Sequence, residues 1–122
     1  MKLGILAVYQ FDEKRDHLVD LHLSQIASCT ESPWTVYASA NRLDETRRAK
    51  HARRRGVRMC DIPRIDAEGD EARAYFLNHL ARIAIEDGCT HLAIMQHDTF
   101  PVRDAWGEEL AARLKKGCAF IT

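Results

Sequence analysis

The sequence predicts an α/β domain with three layers and a mainly parallel sheet. Three observations carry this. Short apolar runs alternate with longer amphipathic or charged runs, in the order strand-helix four times and then a strand. Glycines stand where three of the helical runs stop, at Gly56, Gly88 and Gly117. The first apolar run, Leu3 to Tyr9, is nearly continuous, as suits a strand buried on both faces. A chain of 122 residues is one domain's worth of sequence.

Each element has a local reason. After the first strand, Asp16 to Cys29 places Leu18, Leu21, Leu23, Ile26 and Ala27 near one helical face. Pro33 sets a turn, and Trp34 to Ala38 follows as a second strand. Asp44 to Arg55 is a charged helix, and Val57 to Ile62 a third strand ended by Pro63. Glu71 to Asp87 is the clearest helix, with an apolar stripe of Ala74, Leu77, Leu80, Ala81, Ala84 and Ile85. His91 to Met95 is a fourth strand and Arg103 to Lys116 a fourth helix. Cys118 to Thr122 opens a fifth strand.

Composition narrows the function classes. Lys plus Arg and Asp plus Glu number 18 each, so no net charge draws the chain to nucleic acid or an anionic membrane. No apolar run reaches the roughly 18 residues of a membrane span. The first residues lack the small-residue cleavage site of an export signal, so a cytoplasmic protein is expected. Cysteines 29, 60, 89 and 118 form no C-x-x-C pair, which suits reduced thiols. The six histidines have no H-x-x-x-H spacing, and no phosphate-binding G-x-x-x-x-G-K or dinucleotide G-x-G-x-x-G occurs. Between Arg42 and Arg58 there are eight Lys or Arg against two acids. The bland expectation is a solvated basic helix; without interleaved aromatics, a single-stranded nucleic-acid site is disfavoured.

In parallel sheets, ligands bind beyond the carboxyl ends of the strands. The informative strand end is Leu92-Ala93-Ile94-Met95-Gln96-His97-Asp98-Thr99-Phe100-Pro101-Val102. An apolar strand runs into three polar groups and then an X-Pro turn. Such groups can hold a hydrated Mg²⁺ or Mn²⁺. Asp98 could equally cap a turn.

At this point the chain resembles a family. Ile94 to Val102 resembles the D-x-D strand end of GT-A glycosyltransferases, especially the inverting family 2 group. Asp98 falls on the second Asp, and Gln96 replaces the first. Asn78 to Gly88 is similar to the helix that precedes that strand. Leu6-Ala7-Val8-Tyr9-Gln10 is similar to the first strand, and Asp20 to Tyr37 to the following helix and second strand. In the loop after it, Asn41 matches the second position and Ala40 replaces the usual first acid. The resemblance covers this whole chain but only the family's first half.

It implies a domain that binds a nucleotide-diphospho-sugar donor and serves transfer of the sugar to an acceptor of unassigned identity. Tyr9, Asn41 and Gln96 would lie on the nucleotide, and Asp98 on a bridging Mn²⁺ or Mg²⁺. The family's carboxylate base lies beyond this stretch, so no residue here takes that role. Two alternatives stand beside this reading: a catalytically inactive binding module of the same fold, and an unrelated doubly wound α/β domain. A half-domain would leave a sheet edge open, so a homodimer is expected.

Overall fold

A computed structural model describes residues 1–9, 16–39 and 44–116. In chain order the elements are β1 (Leu3–Val8), α1 (Asp16–Cys29), β2 (Trp34–Ser39), α2 (Glu45–Ala52), β3 (Val57–Cys60), α3 (Gly69–Glu86), β4 (His91–Ile94) and α4 (Trp106–Lys115). The four strands form one parallel sheet in the order β3-β2-β1-β4. Asn41 and the expected fifth strand, 118–122, lie outside the described residues.

Alternation along the strands builds a core on each face of the sheet. Leu3, Ile5 and Ala7 of β1, with Val36 and Ala38 of β2, meet Val19, Leu23 and Ile26 of α1. Leu6, Tyr37 and Cys60 turn the other way and meet Phe76, Leu80 and Ala84 of α3. Successive strand side chains point to opposite faces, so a run apolar at every position needs a helix on both. The expected α/β layering with a parallel sheet is what the described residues form.

The buried helix faces differ from the expected stripes. On α1 the buried residues are Val19, His22, Leu23, Ile26 and Cys29, whereas Leu21 is 44% exposed. The face is rotated to include His22, because Tyr9 supplies a buried partner for that polar ring. On α3, Ala72, Phe76, Leu80 and Ala84 are buried. Ala74 is exposed, as is Ile85. Four-residue spacing centred on Phe76 fits the sheet more closely than the stripe centred on Leu77.

Several boundaries also shift for local reasons. Asp44 caps α2 by accepting a hydrogen bond from Arg47 N at 2.8 Å, and α2 stops at Ala52. The chain then turns at Gly56, whose φ is +80°. A Cβ there would meet the Trp34 ring at 2.5 Å, so Gly is required on both counts. The fourth helix begins at Trp106 rather than Arg103, since Ala105 sits in the left-handed region with φ 57°. Trp106 Nε1 donates to Thr30 Oγ1 at 3.0 Å and anchors α4 beside the end of α1.

Among the described residues no helix is long and apolar enough to cross a membrane. Cys29, Cys60 and Cys89 are free thiols. β4 pairs with β1 on one side and, among the described residues, with no strand on the other. Leu92 and Ile94 of β4 are 40% and 58% exposed.

Candidate functional site

The strand order places a crevice at the carboxyl ends of β1 and β4. β1 has β2 on one side and β4 on the other, and the two crossings use opposite faces of the sheet. The chain therefore leaves β1 toward α1 on one face and enters β4 from α3 on the other. A gap at such a reversal is the usual ligand position of a parallel sheet. The β1–β4 ladder continues one step past the strand, with Met95 N donating to Leu6 O at 3.1 Å. Tyr9 N likewise donates to Ser39 O at 2.9 Å. These bonds fix the backbone on which the sequence-predicted residues sit.

The crevice has a volume of about 80 Å³. Leu6, Val8 and Leu77 form apolar walls, and Arg73, Gln96 and His97 form the polar rim. Gln96 lies on the α3 side. With its amide oriented so that the oxygen faces Arg73, the assignment that satisfies both groups, it accepts from both terminal nitrogens of the guanidinium. His97, also on the rim, is within electrostatic range of His22 on α1. Asp98 is exposed and accepts from Thr99 Oγ1 at 3.5 Å.

Beneath the α1 side of this strand end lies a buried pair. Tyr9 is fully buried, and its hydroxyl stands 3.0 Å from His22 Nδ1. The rings meet edge to face at 5.8 Å. Burial holds the Tyr9 phenol protonated, well above its ordinary range, against the opposing pull of Arg54. Burial also pushes the His22 imidazole down to about 4, and the His97 charge adds to that. The Thr99 backbone and Asp98 act in the opposite direction. The phenol therefore donates and the neutral imidazole accepts at Nδ1. His22 Nε2 is buried and closes no hydrogen bond of normal geometry.

A second charged region joins α1 to α2. The buried His51 ring places Nε2 2.7 Å from Asp16 Oδ1. Lys50 Nζ donates to Asp16 Oδ2 at 2.9 Å and lies 3.5 Å from Asp20. Arg54 pairs with Asp20, Arg48 with Asp61, and Arg47 with Asp44. Partial burial pushes the Asp16 carboxyl up, but hydrogen bonds from His51 and Lys50 outweigh it and hold the group below its usual range. The basic helix is thus largely neutralised by this protein's own acids, and Arg53 and Arg55 remain exposed.

The expected site residues separate accordingly. Gln96 sits on the crevice rim and Asp98 just beyond it. Tyr9 lies under the strand end with its hydroxyl engaged, and Asn41 lies outside the described residues. Among the described residues, no group of three or more His, Cys, Asp or Glu converges as a metal site. Asp98 is one carboxylate, and the side chain two positions before it is bound to a guanidinium. Among the described residues that donor set falls short of the convergent oxygen ligands of an Mg²⁺ or Mn²⁺ ion held by protein side chains.

Arg73 escaped the sequence reading because it comes from a helix, not from a strand end. A signal was available. It follows Asp70 and Glu71 near the start of α3, where the helix dipole favours anions rather than cations.

Together these features define a parallel α/β domain compatible with a Rossmann-like fold, with a polar-rimmed crevice where the strand order reverses. In comparisons with known proteins, no family model, no curated protein and no solved structure matches the chain.

Proposed function

We propose that this chain is the donor-binding domain of a GT-A-type glycosyltransferase, and that its ligand is a nucleotide-diphospho-sugar. The observation that carries the reading is the β1–β4 register. It brings the end of the first strand together with Gln96 and His97 at one crevice, with Asp98 just beyond it. The same two strand ends carry the resemblance in the sequence, so fold and motif point to one place. In this reading the diphosphate lies at the polar rim, and the apolar walls exclude water from its inner side.

In glycosyl transfer the bond from the sugar C1 to the diphosphate oxygen breaks. A new C1–O bond forms to the acceptor, and the acceptor's proton passes to a base. What this half of the site supplies is donor binding and stabilisation of the charge that builds on the leaving diphosphate. Binding without turnover is the second reading. It is favoured by Gln96, a neutral residue where the family has an acid.

The test is a thermal-shift panel with UDP, GDP, CDP and dTDP, each with EDTA, Mn²⁺ or Mg²⁺. One base is expected to raise the melting temperature. At 100 times Kd the gain is about 2.7 kcal/mol, which is readily seen. No shift with any of the four sinks the donor-site reading. Release of the nucleoside diphosphate from the matching sugar nucleotide then separates an enzyme from a binder.

A further inference from the structure

The half-buried arginines of this protein fall into two kinds. Arg47, Arg48 and Arg54 each meet a carboxylate. Arg73 is half-buried too, but its guanidinium meets the neutral Gln96 amide and, among the described residues, no carboxylate. A partly desolvated cation without a counter-charge is costly, and an anion arriving from outside would offset that cost. The guanidinium is also pre-aimed. Gln96 accepts from both terminal nitrogens and so fixes the plane of the fork at the mouth of the crevice. Gln96 takes the edge between the two terminal nitrogens, which leaves Nε–H and the outer terminal N–H groups for the oxygens of a phosphate group, the anion class that best fits a planar set of donors.

We infer that Arg73 is the diphosphate-binding group of this site, with Gln96 as its positioning residue, and that the ligand is held by this cation without a divalent metal. The inference deepens the donor-site reading and rests on it for the identity of the ligand. It also gives a physical account of Gln96. An acid at position 96 would pair with Arg73 and cancel the charge that a phosphate needs. A neutral amide orients the guanidinium and leaves its charge available.

The experiment measures Kd by calorimetry for UDP, GDP, CDP, dTDP and inorganic pyrophosphate, in EDTA and in Mn²⁺. It compares the unaltered chain with Arg73→Gln, Arg73→Lys, Gln96→Glu, Gln96→Leu and Asp98→Asn. Circular dichroism melts check that each variant is folded. The expected result is diphosphate binding in EDTA that Mn²⁺ changes by less than about twofold. Losing a charge-assisted bond in Arg73→Gln should raise Kd roughly 10- to 100-fold. Arg73→Lys should recover part of the loss. Gln96→Glu should weaken binding although it leaves Arg73 in place, and Gln96→Leu, which adds no charge, should weaken it by a smaller factor with an unchanged melt, which a merely structural role for Gln96 would not produce. Asp98→Asn should leave Kd unchanged.

Binding that requires Mn²⁺, is lost in Asp98→Asn and is unmoved by Arg73→Gln would overturn the inference while leaving the donor-site reading intact. Pyrophosphate binding that depends on Arg73, with no preference for any nucleotide, would keep the anion site and overturn the donor-site reading. No binding of any probe would overturn both.

Discussion

Two regions of this protein hold cations, and they treat them oppositely. In the seam between α1 and α2, Lys50 and Arg54 are matched by Asp16 and Asp20, and His51 hydrogen-bonds to Asp16. At the strand-end crevice, Arg73 meets a neutral amide and, among the described residues, no carboxylate. The seam uses charge to set one helix against another. Its acids come from α1 and its bases from α2 and the residues just after it, and β2 lies between the two helices in the chain. The crevice leaves its charge unbalanced, and an unbalanced cation contributes nothing to folding that an apolar side chain could not. The difference marks the seam as structural and the crevice as the place to look for a ligand.

The largest expected effect lies on the α1 side of the strand end. The His22 imidazole is pushed down to about 4, against an ordinary value of 6.5. Between those values the unfolded chain binds a proton that the folded chain refuses. This contribution is fully present above pH 6.5 and is lost as pH falls toward 4, by roughly 3 kcal/mol in total. Urea unfolding at pH 7 and pH 4.5 measures it. His22→Leu should flatten the slope, and an unchanged slope would show that the buried Tyr9–His22 pair is not the proton-sensitive element.

Next comes the seam. Asp16→Ala removes the acceptor of a buried His51 nitrogen and should cost about 1–3 kcal/mol in urea unfolding. Because the Asp16 carboxyl is held below its usual range, its stabilisation is present at neutral pH. It is lost as pH falls through and below the ordinary carboxylate range. The variant should therefore lose part of the acid sensitivity as well. A cost near zero would erase the distinction between the two regions.

Smaller still is Arg48→Ala, which breaks a surface pair with the exposed Asp61. Exposed pairs contribute about 0–1 kcal/mol, and this one should weaken further in high salt. Smallest of all is Arg73→Leu. If the crevice cation serves a ligand, this variant should keep its stability within about 0.5 kcal/mol or gain slightly. A loss above about 2 kcal/mol would make Arg73 a structural residue and undo the contrast.

Much of the fold was legible in the sequence. The span of α1, Asp16 to Cys29, and the starts of β2, β3 and β4 were readable from periodicity and turn residues. Helix faces were less so. The buried stripe of α1 includes His22, and hydropathy alone places a histidine outside. The start of α4 was misplaced because the left-handed conformation of Ala105 has no sequence marker comparable to glycine. Of the candidate site, the strand end at Gln96 was visible because polar residues abruptly follow an apolar strand. The engagement of Tyr9 with His22 and the arrival of Arg73 from α3 were not visible, since both join residues distant in the chain.

By itself the sequence determined the order and kind of the elements, because apolar period, capping residues and glycine stops act over a few residues. Only the tertiary structure decided the strand order β3-β2-β1-β4, and with it which strand ends share a crevice. It also decided which cations find acids. Charge pairing depends on which elements end side by side, and that is settled when both faces of the sheet are buried together.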